Sequence, residues 1–421
     1  MNKVKIFILI AVFILSLFSY SARADEILAW QDCLKEAAQN NPDLISSQEN
    51  ISQSEASKRI TASGLFPQIN SGVNATRSKN SGTTTNNFSY DVSADQLLFD
   101  GFKTTTNVKA AAENLKAAQH QYHFVSSQIR FSLRSAFVNL LQAQEMIQVA
   151  EDIAKIRKSN LVLITLSYES GLEHKGALLT AEANLAEAEF EKAQAHRNLE
   201  VAERQLTREM GRSQFMPISV KGDFSINDHN LEKPDFEVLA KNNPHLQQLI
   251  AQENAAALGI KSAYANFFPE ISAQTGAGRT DSRWAPRNGQ WNAGLALTFP
   301  LFEGGLRVAQ VDQAQAVFRQ AQANKRSVRD SIIVALEETW AALKDAVDMV
   351  GVQRKTLIAT EERSKIAQAQ YSTGFMSYDN WTIIEDNLVQ SKKAYLNAQA
   401  NALSAEANWI QAKGETLEYA E

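Results

Sequence analysis

The feature of this sequence that most constrains its fold is an internal duplication. Five short motifs occur twice in the same order. The pairs are NNP at 40 and 242, FPQI and FPEI at 66 and 268, LFDG and LFEG at 98 and 301, YESG and YSTG at 168 and 371, and EANL and EDNL at 182 and 385. Five motifs that keep one order and one spacing indicate a tandem repeat. We therefore predict two copies of a unit of about 200 residues.

Each unit is predicted to begin with a helix at its Asn-Pro, where Asn can cap and Pro suits the first helical position. The Phe-Pro that follows is expected to end this helix. Apolar and polar residues then alternate, which predicts two strands with one apolar and one polar face, at about 67–100 and again at about 269–301. The polar stretches 79–87 and 279–290 are expected to be loops between these strands.

A very long helix is predicted after each strand pair. No glycine or proline occurs from Phe102 to Ser170, and only Gly351 interrupts the stretch from Leu306 to Thr373. A continuous helix of this size would approach ~100 Å. Steps of three and four residues predict coiled-coil seams. The seams comprise Val108, Ala111, Leu115, Ala118, Tyr122, Val125 and Ile129, and Val328, Ile332, Ala335, Thr339, Ala342, Ala346 and Met349.

Shorter Ala-rich helices are predicted after Gly171 and Gly374, so each unit would end in a long helical hairpin. The hairpins span 101–212 and 303–415. The whole chain then divides into a leader at 1–24, a first repeat at 25–212, a connector at 213–235 and a second repeat at 236–421.

The leader is predicted to be a secretory signal peptide. Lys3 and Lys5 precede an apolar run that ends in Ala22-Arg23-Ala24, a small-x-small cleavage pattern. An uncleaved membrane anchor is the alternative, although the run is shorter than the ~20 residues that a spanning helix needs. No later apolar run approaches that length.

Two acid-glycine pairs separate the strands from the long helices. In Asp100-Gly101 and Glu303-Gly304 the acid can cap or favour a helix N-terminus, and the glycine permits a sharp change of direction. Phe66-Pro67 and Phe268-Pro269 form the opposite junctions, from helix to strand. A hairpin turn of the Asp-Gly type is the alternative for the acid-glycine pairs.

Composition excludes several kinds of protein. The formal charge is −5, and −8 without the leader and its three basic residues, which argues against a nucleic-acid partner. The single Cys33 permits no intramolecular disulfide. His120 and His123 are too few ligands for a metal site, and no catalytic constellation is visible. We expect no enzyme activity, no metal and no cofactor.

Four amphipathic strands suit an outer membrane but cannot close a barrel alone, whereas three copies would supply twelve. With its duplicated Phe-Pro-x-Ile, Leu-Phe-(Asp/Glu)-Gly and Tyr-x-x-Gly motifs, the chain resembles the TolC-type outer-membrane export channels. The resemblance implies a mixed α/β membrane protein. It would be a homotrimer in which a twelve-stranded barrel continues into a periplasmic α-helical tunnel.

The resemblance also implies the function. Such a trimer would be a passive exit duct in the cell outer membrane, embedded in its lipid. A periplasmic adaptor and an inner-membrane pump of the resistance-nodulation-division or ABC type would supply it with small toxic molecules or secreted polypeptides. A structural or adhesive coiled-coil spacer is the alternative, although a spacer needs neither a polar lumen nor two hairpins per chain.

Candidate site residues follow from the same resemblance. The hairpin tips that would contact the adaptor are Tyr168, Gly171, Leu172, Tyr371, Gly374 and Phe375. Packing and turning of each hairpin is the alternative role for the tyrosines and glycines. The family's entrance acids fall on Asn380 and Ile383 and its basic gating residue on Met376, so those roles do not transfer. Nearby acids that could form an entrance charge are Asp379, Glu385 and Asp386, and solvated carboxylates on the helix surface are the alternative.

Overall fold

The computed structural model describes residues 26–224 and 233–418. The predicted leader lies outside the described residues, as does the segment 225–232 of the predicted connector. Within the described ranges, no helix combines the length and the apolar composition that crossing a membrane requires.

The described chain is mostly helical and contains two sheets. Its helices are α1 (Trp30–Asn40), α2 (Pro42–Ser63), α3 (Lys103–Glu169), α4 (Lys175–Glu209), α5 (Phe236–Asn242), α6 (Pro244–Ala265), α7 (Leu306–Ser372) and α8 (Tyr378–Lys413). Its strands are β1 (Glu26–Ala29), β2 (Gln68–Asn80), β3 (Thr83–Phe99), β4 (Ile218–Lys221), β5 (Glu270–Asp281) and β6 (Asn288–Thr298). Two compact units are formed. We call their described parts the tip unit (26–41, 132–224 and 345–404) and the sheet unit (42–131, 233–344 and 405–418).

The sheet unit contains a four-stranded antiparallel sheet in the order β2-β3-β5-β6. Its strands extend into the stretches expected to be loops. β2 and β3 are joined by Ser81 and Gly82 alone, and β5 and β6 by residues 282–287. Both predicted loops are present but shorter than expected, because the prediction relied on polarity. Threonine favours strands, and cross-strand pairs such as Ser78 Oγ with Thr85 Oγ1, 2.9 Å apart, continue the ladder.

The long helices α3 and α7 have 67 residues each, and Gly351 is accommodated inside α7. The predicted seam of α7 is only partly buried in the structure. Leu336, Trp340 and Leu343 are buried, whereas Ala342 of the predicted set is exposed. Trp340 contacts Trp409 of α8 with ring centroids 5.2 Å apart. The larger side chains bury more apolar area, so they decide which face turns inward.

The tip unit includes a second sheet that the sequence did not predict. β1 and β4 pair in parallel, so the predicted irregular connector contains a strand. The side chain of Gln144 binds both polar groups of Val220 at the strand edge, at 2.9 and 3.2 Å. Arg212 also donates to Glu26 and Glu36. These strands have only four residues each and lie almost one repeat apart in the sequence. Such short segments leave no periodic signal, which explains why the sequence did not predict this sheet.

Short helices α1 and α5 precede the two Asn-Pro motifs, and each motif meets the end of a long hairpin. Asn41 Nδ2 donates to the Glu209 carbonyl at 2.9 Å, and Asn243 Nδ2 to the Ala412 carbonyl at 3.1 Å. Asn243 also accepts from the His245 N–H at 3.0 Å as the N-cap of α6. Both repeats thus use this asparagine to tie the start of one helix to the end of another.

Candidate functional site: hairpin tips and strand junctions

Both hairpin turns of the tip unit end a long helix with the same pattern of hydrogen bonds. Gly171 N–H donates to the Tyr168 carbonyl and Leu172 N–H to the Ser167 carbonyl, at 3.0 and 2.9 Å. In the second turn, Gly374 and Phe375 repeat these bonds at 3.0 and 2.8 Å. The two glycines have φ of +73° and +79°, as the left-handed cap of a Schellman motif requires.

The residue after each turn glycine is apolar and exposed. In a Schellman motif this residue usually packs back onto the helix. Here Leu172 remains 80% exposed and Phe375 88% exposed, while Tyr168 is 39% exposed. Each turn therefore presents an apolar side chain to the outside.

Tyr371 is placed differently from the other predicted tip residues, because it is buried with 9% exposure. Its ring stacks on Trp381 with centroids 4.6 Å apart and planes at 10°. Its hydroxyl donates to Glu173 Oε1 in the first turn at 3.0 Å. Burial raises the pKa of this phenol to about 12. The expectation of a surface contact at Tyr371 is therefore corrected, because the aromatic ring finds an apolar pocket within the chain.

Sequence reasoning missed the rest of this aromatic cluster. Trp381 is 1% exposed, and Tyr378 lies edge-on to both Tyr371 and Trp381 at 6.4 and 6.3 Å. Trp381 Nε1 has no hydrogen-bond partner within the described ranges. The spacing of aromatic residues at 371, 378 and 381 follows one face of a helical hairpin, and that signal could have identified the cluster.

The three predicted entrance acids lie in three different environments. Asp379 is exposed in the first turn of α8, where the helix dipole favours a negative charge. Asp386 pairs with Arg157 at 2.6 Å, and the Arg157 side chain is only 10% exposed. Glu385 is 3% exposed and accepts from Ser364 Oγ at 2.5 Å. Glu385 therefore faces the interior of the chain, which corrects the expectation that it contributes an open charge.

The first strand-to-helix junction is a closely packed corner in the sheet unit. Asp100 Oδ2 accepts from the Thr104 N–H at 2.7 Å and from Thr104 Oγ1 at 2.5 Å. Gly101 has φ of +67°, and an added Cβ there would lie 2.6 Å from Phe268 Cβ. The Asp-Gly pair thus turns a strand into a helix and does not form a hairpin.

The second junction uses different contacts. Glu303 binds the side chain of Arg307 and not a backbone N–H. Gly304 and Gly305 both have positive φ, and an added Cβ on either would meet no atom within 4 Å. At the same end of the sheet, Pro67 and Pro269 follow the exposed Phe66 and Phe268. The two junctions share a sequence pattern but not the same packing.

One face of the four-stranded sheet is apolar and exposed. Residues directly opposite on antiparallel strands lie on the same face, and the register pairs Val73 with Tyr90 and Ala277 with Trp291. Exposed apolar side chains of this face include Ile69, Val73, Val92, Trp291, Leu295 and Leu297. A large exposed apolar surface of this kind marks contact with a partner or a membrane.

The fold, the two hairpins and the exposed apolar sheet define the class of protein, a strand-and-helix channel of the outer membrane. A family model described as "Outer membrane efflux protein" matches residues 33–212 and 237–415. The chain belongs to this family. It is an outer-membrane efflux channel of the TolC type, and its helical part lies in the periplasm.

Individual relatives are distant in sequence but similar over most of their length. The chain is 22% identical to the outer membrane efflux protein BepC of Brucella suis over 394 residues, which cover 88% of this chain and 84% of BepC. It is 21% identical to TolC of Escherichia coli strain K12, over 95% of this chain and 84% of TolC. The solved channel MtrE of Neisseria gonorrhoeae shares the fold with a TM-score of 0.81, 18% identity, and coverage of 92% and 89%.

Proposed function

We propose that three copies of this chain, each without its leader 1–24, close a twelve-stranded barrel in the outer membrane. The single observation that supports this most strongly is the four-stranded sheet with an exposed apolar face. Its edge strands β2 and β6 each lack a second neighbour within the described ranges. Unpaired backbone groups are very costly in hydrocarbon, so the sheet must be closed by other copies. The two repeats, 25–212 and 236–421, would each contribute two strands to the barrel and one helical hairpin to a tunnel that continues it.

The trimer would be the exit duct of a tripartite efflux or type I secretion system. A periplasmic adaptor and an inner-membrane pump of the resistance-nodulation-division or ABC type would deliver small toxic molecules or polypeptides to it. The family match supports efflux, and it favours a duct over a coiled-coil spacer. Movement through the duct would be passive and driven by the pump.

The adaptor would dock on the hairpin tips. Leu172 and Phe375 are the principal contacts, because both are apolar and largely exposed. Gly171 and Gly374 shape the turns, and Tyr168 contributes a half-exposed ring. Tyr371 acts as a positioning residue that holds one turn against the other through Glu173.

Among the three predicted acids, Asp379 would contribute most of the entrance charge. It is exposed, and it would occur three times around the axis of a trimer. Asp386 is largely neutralised by Arg157, and Glu385 is internal. A ring of negative charge at a narrow opening favours cations.

The test measures mass and conductance together. The mature protein is purified in detergent, its oligomeric mass is determined, and it is inserted into a planar phosphatidylcholine bilayer. A trimer that forms uniform pores supports the duct. Some ducts are closed at rest, so Tyr371→Ala is measured in parallel to loosen the tips. A folded, inserted protein that is not a trimer, or whose wild type and variant both fail to conduct, contradicts the proposal.

Adaptor docking is tested with Leu172→Glu/Phe375→Glu against the control Val352→Glu/Ile358→Glu. The control residues are also exposed and apolar, but they lie within α7, away from the turns. Loss of pull-down of the purified adaptor by the tip variant alone supports docking at the turns. Equal losses in both variants, or none, contradict it.

A further inference from the structure

Charged side chains of the four-stranded sheet are sorted by sign between its two faces. Arg279 lies opposite Tyr90, which in turn lies opposite Val73, so all three share the apolar face. Arg77 and Lys79 follow Val73 at even spacing and lie on this face as well. The apolar face therefore also carries three basic residues.

The opposite, polar face of the strands carries acids. Asp91, Asp95 and Glu270 lie there, and none of the Lys or Arg residues of the four described strands does. The one acid on the apolar face is Asp281. Its carboxylate accepts hydrogen bonds from the backbone N–H groups of Ser282, Arg283 and Arg287 in the loop. Asp281 therefore shapes the loop that follows it.

All three basic residues lie at the strand ends farthest from the helices. Arg77 and Lys79 precede the turn at Ser81 and Gly82, and Arg279 precedes the loop 282–287. This loop adds Arg283 and Arg287. All five basic side chains are exposed, and none forms an ion pair or side-chain hydrogen bond in the part of the chain that the structure describes.

Aromatic side chains accompany this basic rim. Trp291 lies on the apolar face near Arg279, and the exposed Trp284 lies in the loop between Arg283 and Arg287. Trp284 contacts Phe88 edge-on at 6.0 Å. Tryptophan concentrates at the boundary between lipid hydrocarbon and headgroups, so this end of the sheet has the composition of a membrane interface.

We propose that the basic rim, defined as Arg77, Lys79, Arg279, Arg283 and Arg287, binds the phosphate groups of glycolipids in the outer leaflet. This inference rests on the proposed barrel, which places the apolar face against hydrocarbon and the rim at the outer surface. Guanidinium groups bind phosphate through two parallel hydrogen bonds, and clustered basic residues are attracted to anionic lipid. Five such residues per chain would form a continuous cationic belt around a trimer.

The two faces distinguish lipid from a solute in the lumen. A passing anion would meet the polar face, whose charged strand residues are Asp91, Asp95 and Glu270. The three basic strand residues share the face of Leu295 and Trp291, which a barrel turns outward. Lipid phosphate is therefore the partner that fits their position.

The experiment uses the full mature protein in detergent and two probes, bisphosphorylated lipid A and the same lipid without its phosphates. Bound lipid is counted by native mass spectrometry as its concentration rises. The test variant is Arg77→Gln/Lys79→Gln/Arg279→Gln. The matched control is Arg59→Gln/Lys109→Gln/Arg319→Gln, which removes the same charges from exposed helical positions. Conductance and reversal potential are recorded for each protein in phosphatidylcholine bilayers.

We expect wild type and control to prefer the phosphorylated lipid. At low salt the rim variant should bind this lipid roughly a hundredfold more weakly than wild type, because each of the three charges contributes about fivefold. Added salt should reduce the difference. Equal binding by rim variant and control, or equal binding of both lipids by wild type, overturns the inference. So does a rim variant whose reversal potential changes while its lipid binding does not. If the lipid-binding inference is overturned while the protein still forms normal pores, the duct proposal stands. A protein that forms neither trimers nor pores contradicts both the duct proposal and the lipid-binding inference.

Discussion

The rings of Tyr371 and Trp381 stack face to face with centroids 4.6 Å apart, and the Tyr371 hydroxyl reaches Glu173 in the other hairpin turn. One side chain thus connects the end of α7 to the start of α8 and to the turn after α3. Stacking contributes roughly 0.5–1.5 kcal/mol beyond apolar burial. The tip unit therefore holds its two turns together with a buried aromatic core and a polar link from Tyr371 to Glu173.

Removing only the polar link should loosen the turns modestly. Tyr371→Phe keeps the stacked ring and removes the hydroxyl, so we expect the free energy of local opening to fall by about 1 kcal/mol. Hydrogen exchange at residues 166–176 measures this opening. Glu173→Gln retains an acceptor oxygen and serves as the control with a smaller effect. Exchange in Tyr371→Phe that matches wild type would contradict a role for the hydrogen bond.

The same phenol should give the tip unit a dependence on alkaline pH. Burial raises the pKa of Tyr371 to about 12 from its ordinary value of 10.0, so the folded state favours the protonated form. The contribution of Tyr371 to the free energy of unfolding is fully present below pH 10 and is lost as pH rises towards about 12. Phenolate absorbance of wild type minus that of Tyr371→Phe reports the titration. A difference curve centred near pH 10 would contradict the burial of this group.

Two neighbouring acids should differ in their effect on ion selectivity. Asp379→Asn removes an exposed charge, whereas Glu385→Gln changes a buried group bound to Ser364. We expect the first substitution to lower the cation preference and the second to leave it unchanged. Reversal potentials in a KCl gradient measure both. The reverse ranking would show that Glu385 faces the conducting path.

Glycines with the same backbone conformation should tolerate alanine differently. Gly211 has φ of +81°, and an added Cβ would lie 2.2 Å from the Asn40 carbonyl oxygen, whereas Gly171 has φ of +73° and open space around it. Gly171→Ala should cost about 1–2 kcal/mol for the left-handed conformation. Gly211→Ala should cost roughly 1–3 kcal/mol more through overpacking.

Urea denaturation of the detergent-solubilised protein compares the two variants, and Gly414→Ala tests the second repeat. There an added Cβ would meet Pro244 Cδ, which places Gly414 in the more sensitive group. Equal midpoints for Gly171→Ala and Gly211→Ala would contradict the close approach of the hairpin end to the Asn-Pro motif.

The two acid-glycine junctions should not be equivalent. Asp100→Ala removes an acceptor of the Thr104 N–H and should destabilise the start of α3 by about 1 kcal/mol. Asp100→Asn keeps an acceptor and should cost less. Glu303→Gln, which affects only the side-chain pair with Arg307, should have almost no effect. Thermal unfolding ranks the three variants, and a loss for Glu303→Gln as large as that for Asp100→Ala would contradict this account.

The family and the order of the main elements could be predicted from the sequence because they depend on local and periodic signals. The absence of glycine and proline predicts long helices, and both have 67 residues in the structure. Alternation predicts strands, and β3 and β5 lie where it occurs. Polarity proved a poor guide to the strand ends, since threonine-rich segments continue the ladder.

Tertiary structure alone decided which side chains of the candidate site are exposed. Tyr371 and Phe375 lie four residues apart in one motif, yet the first is buried and the second is exposed. Glu385 and Asp386 are adjacent, yet one contacts Ser364 and the other Arg157. The sequence by itself determined the long helices, the amphipathic strands and their repetition, because those follow from neighbouring residues. Exposure depends on partners far away in the chain, such as Glu173 for Tyr371, and only packing brings those partners together.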